Sequence, residues 1–440
     1  MILSLIRNGC RIGFFGLGIS NTALLCHLPL NKCSVTVRSD STICPSEIPE
    51  WINVERILVG ENACLDIDED ILFFSPSVRR DRAEFSEARR RGVLFSSDAE
   101  LFFEENRKPI YAVTGSDGKS TTATLINLLL RTGGHKSVAV GNIGDPMICH
   151  LESDADCFVA ELSSFMLEYC CPASRAACIT NLTPNHLDWH GSLEAYKKTK
   201  LSIASGAERL IISDDTLEIK GAYGIISTRL DYQSLKEMYD ARLYITASDG
   251  YILRNCERVI SLKDIAISGE HNIKNLMMAI AMTDGTVGPE AISRVARSFK
   301  GLPHRCQTVL CKDGVNYIDS SIDSTPARTS QTLKSLNRPV VIILGGRGKG
   351  LDYRDLIPAV KEYVSRAIVI GDNANEIRDA IKGYTDIHLA SSLEEATKLG
   401  IEYARNVGVL LLSPASTSYG MFKSYAERGE KFKEILQNNA

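Results

Sequence analysis

Short apolar runs separated by helix-length stretches recur along almost the whole chain. In the first hundred residues, 11–15, 34–37, 71–75 and 93–96 read as short buried strands of a parallel α/β unit. The polar segment 104–109 reads as a linker. Beyond it, the runs 109–113, 137–140, 158–162, 177–181, 210–213 and 224–227 predict a second set of strands, with a helix over 123–131. The polar stretch 231–263 is less regular, and 243–246 with 251–254 fits antiparallel strands. Gly301-Leu302-Pro303-His304-Arg305 punctuates the end of this part. A third set, 316–319, 340–345, 367–370 and 409–412, follows with helical segments between. The pattern predicts an α/β chain of three domains, 1–107, 108–305 and 306–440, since 440 residues exceed one ordinary core.

Composition acts mainly by exclusion. Apolar content of 44% and charged content of 24% are those of a soluble globular chain. A net charge of −4 offers no basic footprint for nucleic acid or an anionic membrane. The arginine clusters at 79–82 and 89–91 read most simply as a solvated helix face. Thirteen cysteines without a Cys-x-x-Cys pair read as reduced thiols of a cytosolic protein, not as metal ligands. The early apolar stretch is broken by Gly13, Gly16 and Gly18, so neither a membrane span nor a signal peptide is expected. The expectation is a cytoplasmic monomer that acts on small molecules, with no nucleic-acid or membrane partner.

The chemistry concentrates where the second part begins. Gly115-Ser116-Asp117-Gly118-Lys119-Ser120-Thr121 lies between a strand and a helix. That is the layout of a phosphate-binding loop: N–H groups at a helix start cradle phosphate oxygens, the lysine meets the outer phosphates, and a hydroxyl reaches Mg²⁺. The loop is shorter than the standard form, whose first glycine position is here Val113. The bland alternative is a chance glycine turn with a solvated lysine. Glu161 ends an apolar strand, where a carboxylate is costly to bury unless paired or bound to metal. With Ser120 it could complete a Mg²⁺ site; otherwise it is a half-exposed loop residue. Two histidines, an aspartate and a tryptophan follow a strand directly in the segment Asn181 to His190. Ten residues on, Lys200 sits in an amphipathic helix whose Lys197 and Lys198 need no explanation beyond solvation. The first strand runs into Gly16-Leu17-Gly18, but Asn21 replaces a third glycine and Val37-Arg38 supplies no acidic residue for a ribose. NAD is therefore not expected, whereas one diphosphate, such as a UDP group, can still sit there.

Six motifs in order carry a resemblance: the loop from Gly115 to Thr121, Glu161-Leu162-Ser163-Ser164-Phe165, Asn181 to Asp188, Gly269-Glu270-His271-Asn272, Gly301 to Arg305, and Asp319-Ser320. The chain resembles the ATP-dependent Mur ligases over essentially all of its 440 residues. Leu344 to Gly350, Leu412 to Tyr419 and Phe422 to Gly429 resemble the member that adds D-glutamate. No Asp-Asn-Pro-Arg-type sequence of the diaminopimelate- or lysine-adding enzymes occurs.

The resemblance implies a Rossmann-like N-terminal domain for a UDP substrate, a central P-loop ATPase domain with a mostly parallel sheet, and a Rossmann-like C-terminal domain. It implies ligation of D-glutamate to UDP-N-acetylmuramoyl-L-alanine through an acyl phosphate. ATP would lie on Gly115, Ser116, Asp117, Gly118, Lys119, Ser120 and Thr121, with Asn275 near adenine and Arg305 and Asp319 reaching the nucleotide. Lys119, Glu161, His186 and Lys200 would carry the catalysis. Ser120 and Glu161 would hold one Mg²⁺, and His186 and Lys200, the latter as a CO₂-derived carbamate, would serve a second. Gly18, Asn142 and Ser163 would face the UDP substrate. Lys349, Ser418, Tyr419 and Tyr425 would receive D-glutamate. Two departures stand out: Ser321 occupies a position where many relatives carry lysine, with Thr325 a candidate replacement, and Arg38-Ser39-Asp40 differs from the order expected for uracil contacts. Other readings are a sibling or folylpolyglutamate-type ligase, or an ATP-binding protein without catalysis. Retention of Glu161, His186 and Lys200 together argues against the last.

Overall fold

Each set of apolar runs builds its own sheet. The computed structural model describes residues 1–41, 48–143, 145–267, 269–348, 351–418 and 420–440. In the first sheet, β1 (Arg11–Phe15), β2 (Ser34–Ser39), β3 (Arg56–Val59), β4 (Ile71–Phe74) and β5 (Leu94–Ser96) pair in parallel in the order β3-β2-β1-β4-β5. Both faces are covered, so β1 and β4 are apolar at successive positions: Phe14 stacks on Phe73 and Phe15 on Phe74. The strand order reverses at β1, whose C-terminal end carries the glycine turn of Gly16 and Gly18, and such reversals open a ligand crevice.

The second sheet has nine strands: β6 (Ile110–Thr114), β7 (Ser137–Gly141), β8 (Cys157–Glu161), β9 (Ala176–Ile179), β10 (Leu210–Ser213), β11 (Gly224–Ser227), β12 (Leu243–Ser248), β13 (Tyr251–Arg254) and β14 (Glu257–Ser261). Their order is β14-β13-β12-β11-β10-β9-β6-β8-β7, and all neighbours are parallel except within β12-β13-β14. The third sheet comprises β15 (Gln307–Lys312), β16 (Val315–Asp319), β17 (Val340–Gly346), β18 (Val364–Gly371), β19 (Asp386–Leu389) and β20 (Val409–Leu412), ordered β15-β16-β20-β17-β18-β19 with only β15 antiparallel. The first two sheets share the compact unit Met1–Phe299, and the third belongs to Lys300–Ala440.

Four strands escape the apolar pattern: β3, β14, β15 and β19. Each is an edge strand, half-exposed and therefore mixed in polarity. The arginines at 79–82 do not form the expected helix face, because helical structure there is limited to Ala83–Phe85 and Ser86–Arg90. Arg80 is instead buried, paired with Glu100 and stacked over Tyr169 at 4.3 Å, where its charge and its planar head are both used. Arg90 does face solvent beside Glu87. Among the described residues no helix is long and apolar enough to cross a membrane.

Candidate active site

Three neighbouring parallel strands, β9, β6 and β8, deliver the candidate residues from their C-terminal ends, where α/β sheets bind ligands. β6 runs into the loop Gly115–Gly118, and the helix Lys119–Thr132 follows. Gly115 has φ +142°, and a Cβ there would lie 1.9 Å from Thr180 Oγ1. Gly118 has φ +79°, and its Cβ would meet Asn275 Oδ1 at 2.4 Å. Both positions thus require glycine on two grounds, backbone conformation and close approach.

The loop is fastened to the end of β9. Ser116 N–H donates to Asn181 O, Asp117 N–H to Asn181 Oδ1, and Thr180 Oγ1 to Asp117 O at 2.6 Å. Tyr196, buried on the helix Leu193–Leu201, shares a 2.8 Å hydrogen bond with Ser116 Oγ. Lys119 Nζ donates to Ser116 O at 2.8 Å, which curls the ammonium over the loop. Ser120 and Thr121 fall in the first turn of the helix, where N–H groups and the helix dipole favour an anion. Asn275 accepts from Thr122 Oγ1 at 3.3 Å and so sits under the phosphate loop.

β8 carries Glu161 opposite Val113 in register, with its side chain fully buried. Asn142 Nδ2 donates to its Oε1 at 2.9 Å, while Oε2 is buried without a hydrogen-bond partner. A buried carboxylate oxygen left unsatisfied marks a place for a cation. Lys200 lies on the same inward helix face as Tyr196, four residues earlier, and is 2% exposed whereas Lys198 is exposed. Its Nζ donates to Thr114 Oγ1 at 3.2 Å. Burial, and then the nearby Lys119 ammonium, bring Lys200 down to about 7 against the pull of Glu161 and Asp117. His186 is exposed, with φ +50° just before the short helix Leu187–His190, and packs on Phe165 with ring centroids 4.9 Å apart. Although the residue is exposed as a whole, partial desolvation of its ring lowers its pKa, as do Lys119, Lys200 and His190, with Asp188 opposing.

Lys200 thus lies within electrostatic reach of Lys119 and Glu161, and His186 within reach of Lys119 and Lys200. Glu161 and Ser120 fit a Mg²⁺ ion, since the orphaned oxygen supplies one hard ligand and a hydroxyl another. Among the described residues no three His, Cys, Asp or Glu side chains form a cation site by themselves, so phosphate oxygens and water would complete it. The set can hold a polyphosphate against a helix start and a lysine, and can stabilise charge that develops on a transferring phosphoryl group.

Of the UDP-facing candidates, Asn142 and Ser163 follow the paired strands β7 and β8, and Gly18 follows β1 of the first sheet. An added Cβ on Gly18 would be 3.2 Å from Ser75 Oγ, just beyond β4. Asn21, in place of a third glycine, is buried and donates to Phe15 O and Gly16 O, bracing the turn. Ser163 Oγ caps the helix Ser164–Leu167 by accepting from Met166 N–H. Arg38 is fully buried: it pairs with Glu69 and donates to Ala63 O, Leu65 O and Asp66 O. Its donors are thus committed inside the domain and are not available to a base.

In the second unit, Asp319 ends β16 fully buried, accepting from His304 Nδ1 at 2.7 Å and from Ser321 N–H at 2.9 Å. Arg305 is half-buried beside His304. Ser321 is also buried. The Arg428 guanidinium donates to its Oγ and its carbonyl oxygen, and to Ser416 O. A cation therefore does stand at Ser321, contributed by the last helix, Tyr425–Asn439. Thr325 instead caps the helix Pro326–Leu336. Ser418 is nearly buried and Tyr425 is exposed. Lys349 and Tyr419 lie outside the described residues. Sequence reasoning missed Thr180, Tyr196 and Arg428, and read Asn21 only as a missing glycine. Of the three, Tyr196 left a local signal, as the apolar residue in helical phase with Lys200.

Comparison with known proteins agrees with this geometry. The Mur ligase middle domain matches residues 113–283, and the Mur ligase glutamate ligase domain matches 304–416. A UDP-N-acetylmuramoylalanine--D-glutamate ligase of Acetivibrio thermocellus is 34% identical over 97% of this chain and 96% of its own length. One of Clostridium beijerinckii is 32% identical over 98% and 97%. Among solved structures, UDP-N-acetylmuramate-alanine ligase of Thermotoga maritima shares the fold with a TM-score of 0.60 at 19% identity, covering 98% of this chain and all of that one. Folylpolyglutamate synthase of the same organism shares it with a TM-score of 0.52 at 14% identity, over 78% of this chain and 92% of that one. Likeness of this length and degree, on the strand ends that carry the pocket, has one meaning: the chain belongs to the Mur ligase family.

Proposed function

We propose that the chain is an ATP-dependent ligase that joins D-glutamate to UDP-N-acetylmuramoyl-L-alanine in cytoplasmic synthesis of peptidoglycan precursors. The observation that carries this reading is the full-length likeness to D-glutamate ligases. The pocket supports it, because the reaction must bring two anions together. A carboxylate is a poor acyl donor, so the γ-phosphoryl group of ATP passes to the alanyl carboxylate oxygen and forms an acyl phosphate. The amine of D-glutamate, having lost its proton, attacks the carbonyl carbon. The tetrahedral intermediate then collapses, and phosphate leaves with the electron pair of the broken C–O bond.

Lys119 neutralises outer phosphate charge from its position over the loop. Ser120 and Glu161 would hold Mg²⁺, with His186 and Lys200 at a second ion; bound there, the ions would neutralise charge on the transferring phosphoryl group. The partly neutral Lys200 amine can add to CO₂, releasing a proton and leaving a carbamate, which replaces a repelled cation with an anion. Asn142 steadies Glu161 and borders the UDP-substrate side, with Gly18 and Ser163. Asn275, Arg305 and Asp319 are assigned to the nucleotide, and Lys349, Ser418, Tyr419 and Tyr425 to D-glutamate. The working divisions of the chain are 1–107 for the UDP substrate, 108–305 for ATP and 306–440 for the amino acid.

The test is phosphate release with UDP-N-acetylmuramoyl-L-alanine against a panel of D- and L-amino acids. Release that depends on D-glutamate is expected. Release that instead follows another amino acid, or a folate acceptor, would reassign the substrate.

A further inference from the structure

Two loops of the second unit are held in register by a side chain that serves no helix of its own. Asn373 precedes the helix Ala374–Ile381, at the position where an asparagine normally accepts a hydrogen bond from the first turn. It makes no such bond. Instead its Oδ1 accepts from Gly346 N–H at 3.0 Å, and its Nδ2 donates to Ser416 Oγ at 2.7 Å and to the Tyr353 hydroxyl. Tyr353 and Ser416 share a further hydrogen bond at 3.1 Å. Asn373 is 2% exposed, and Tyr353 and Ser416 are equally buried, so no water competes for these groups.

The two loops it joins cross as a short antiparallel bridge. Arg347 N–H donates to Thr417 O at 3.0 Å, and Thr417 Oγ1 donates to Arg347 O at 3.1 Å. Gly345 and Gly346 take φ of +106° and +155°, and a Cβ on either would lie within 2.3 Å of a carbonyl oxygen, of Ile370 or of Thr417. Arg428 holds Ser416 from the other side through the serine carbonyl. The loop after β17 and the segment ending at Ser418 therefore form one frame, with Asn373 as its central tie.

We infer that Asn373 is a positioning residue for the amino-acid acceptor, acting through Gly346 and Ser416 to set the backbone N–H groups and Ser418 that meet the acceptor's carboxylate. This inference rests on the proposed assignment of these loops to the amino acid. Losing the tie leaves the Gly346 N–H without its buried partner and the Tyr353 and Ser416 hydroxyls with only each other, and the loops lose their common register. The effect is directed at the acceptor, because Asn373 bonds to Gly346 and Ser416 of the loops assigned to the amino acid and to neither Arg305 nor Asp319.

The test is steady-state kinetics of the full-length chain with each substrate varied in turn. Asn373→Ala should raise the KM for the acceptor by roughly tenfold or more, with the KM for ATP and for the UDP substrate within about twofold. If that variant fails to fold, Tyr353→Phe keeps the ring and removes only the hydroxyl that bonds Asn373 and Ser416, and should raise the same constant by roughly threefold. An unchanged acceptor KM in a folded variant, or all three constants rising together, overturns the inference. The wild-type amino-acid panel is run first. If it selects an acceptor other than D-glutamate, the substrate reading fails while the role of Asn373 is still tested on that acceptor.

Discussion

Replacing Gly115 with alanine attacks the phosphate loop at its tightest point. The added Cβ would lie 1.9 Å from Thr180 Oγ1 and 3.0 Å from Thr180 N, in a backbone conformation of φ +142°. Moving Thr180 aside breaks its hydrogen bonds to Asp117 O and Thr114 O, which fasten the loop to β9. The backbone strain and the two lost hydrogen bonds together cost about 3–5 kcal/mol. Thermal or urea unfolding measures the stability loss, and titration with ATP measures the binding loss. The origin of the penalty is separable, because Thr180→Ala removes the clashing atom. Thr180→Ala alone loses the two bonds, and the double variant should recover about 1–2 kcal/mol relative to the sum of the single changes. Strict additivity would mean that the clash is not the cause. A Gly115→Ala chain with unchanged ATP affinity would remove this loop from the site.

Other perturbations separate the remaining roles. Lys119→Ala should fold normally but lose turnover by roughly a thousandfold or more, and a near-normal kcat would dismiss the ammonium from the phosphoryl step. Lys200→Ala should lose roughly a hundredfold or more in rate and regain part of it with acetate or propionate; an undiminished rate would exclude a carbamate role. Asp98 is buried, accepts from the Met147 and Ile148 N–H groups, and is raised from 3.8 to about 6 by burial. Its folded state holds the proton more tightly than the unfolded chain, so its contribution is present below about pH 4 and is lost as pH rises through about 6, a change of about 3 kcal/mol. Unfolding curves of wild type and Asp98→Asn should therefore converge or cross by that amount between about pH 4 and pH 7, and a constant difference would refute the shift.

Much of the site was legible because its chemistry is contiguous. The loop from Gly115 to Thr121 declares itself in seven residues, and Glu161 stands out as a charge closing an apolar strand. Strand centres such as 11–15, 210–213 and 409–412 were equally plain, since parallel strands buried on both faces are apolar throughout. The half-exposed edge strands β3, β14, β15 and β19 were not, because their alternation is short and interrupted by polar and charged residues. The braces of the site were invisible for a different reason. Thr180 matters only because β9 lies beside β6, and Arg428 only because the last helix returns to Ser321. Lys200 shows both cases: its phase with Tyr196 was readable, but the burial that brings its amine to about 7 depends on the whole pocket.

The central claim is that ATP activates the alanyl carboxylate as an acyl phosphate. It is tested by a turnover experiment in which both oxygens of that carboxylate carry a heavy-oxygen label and the released phosphate is analysed by mass spectrometry. Acyl-phosphate chemistry places one labelled oxygen in every phosphate released. Phosphate free of label, formed at the same rate as the amide, would contradict it.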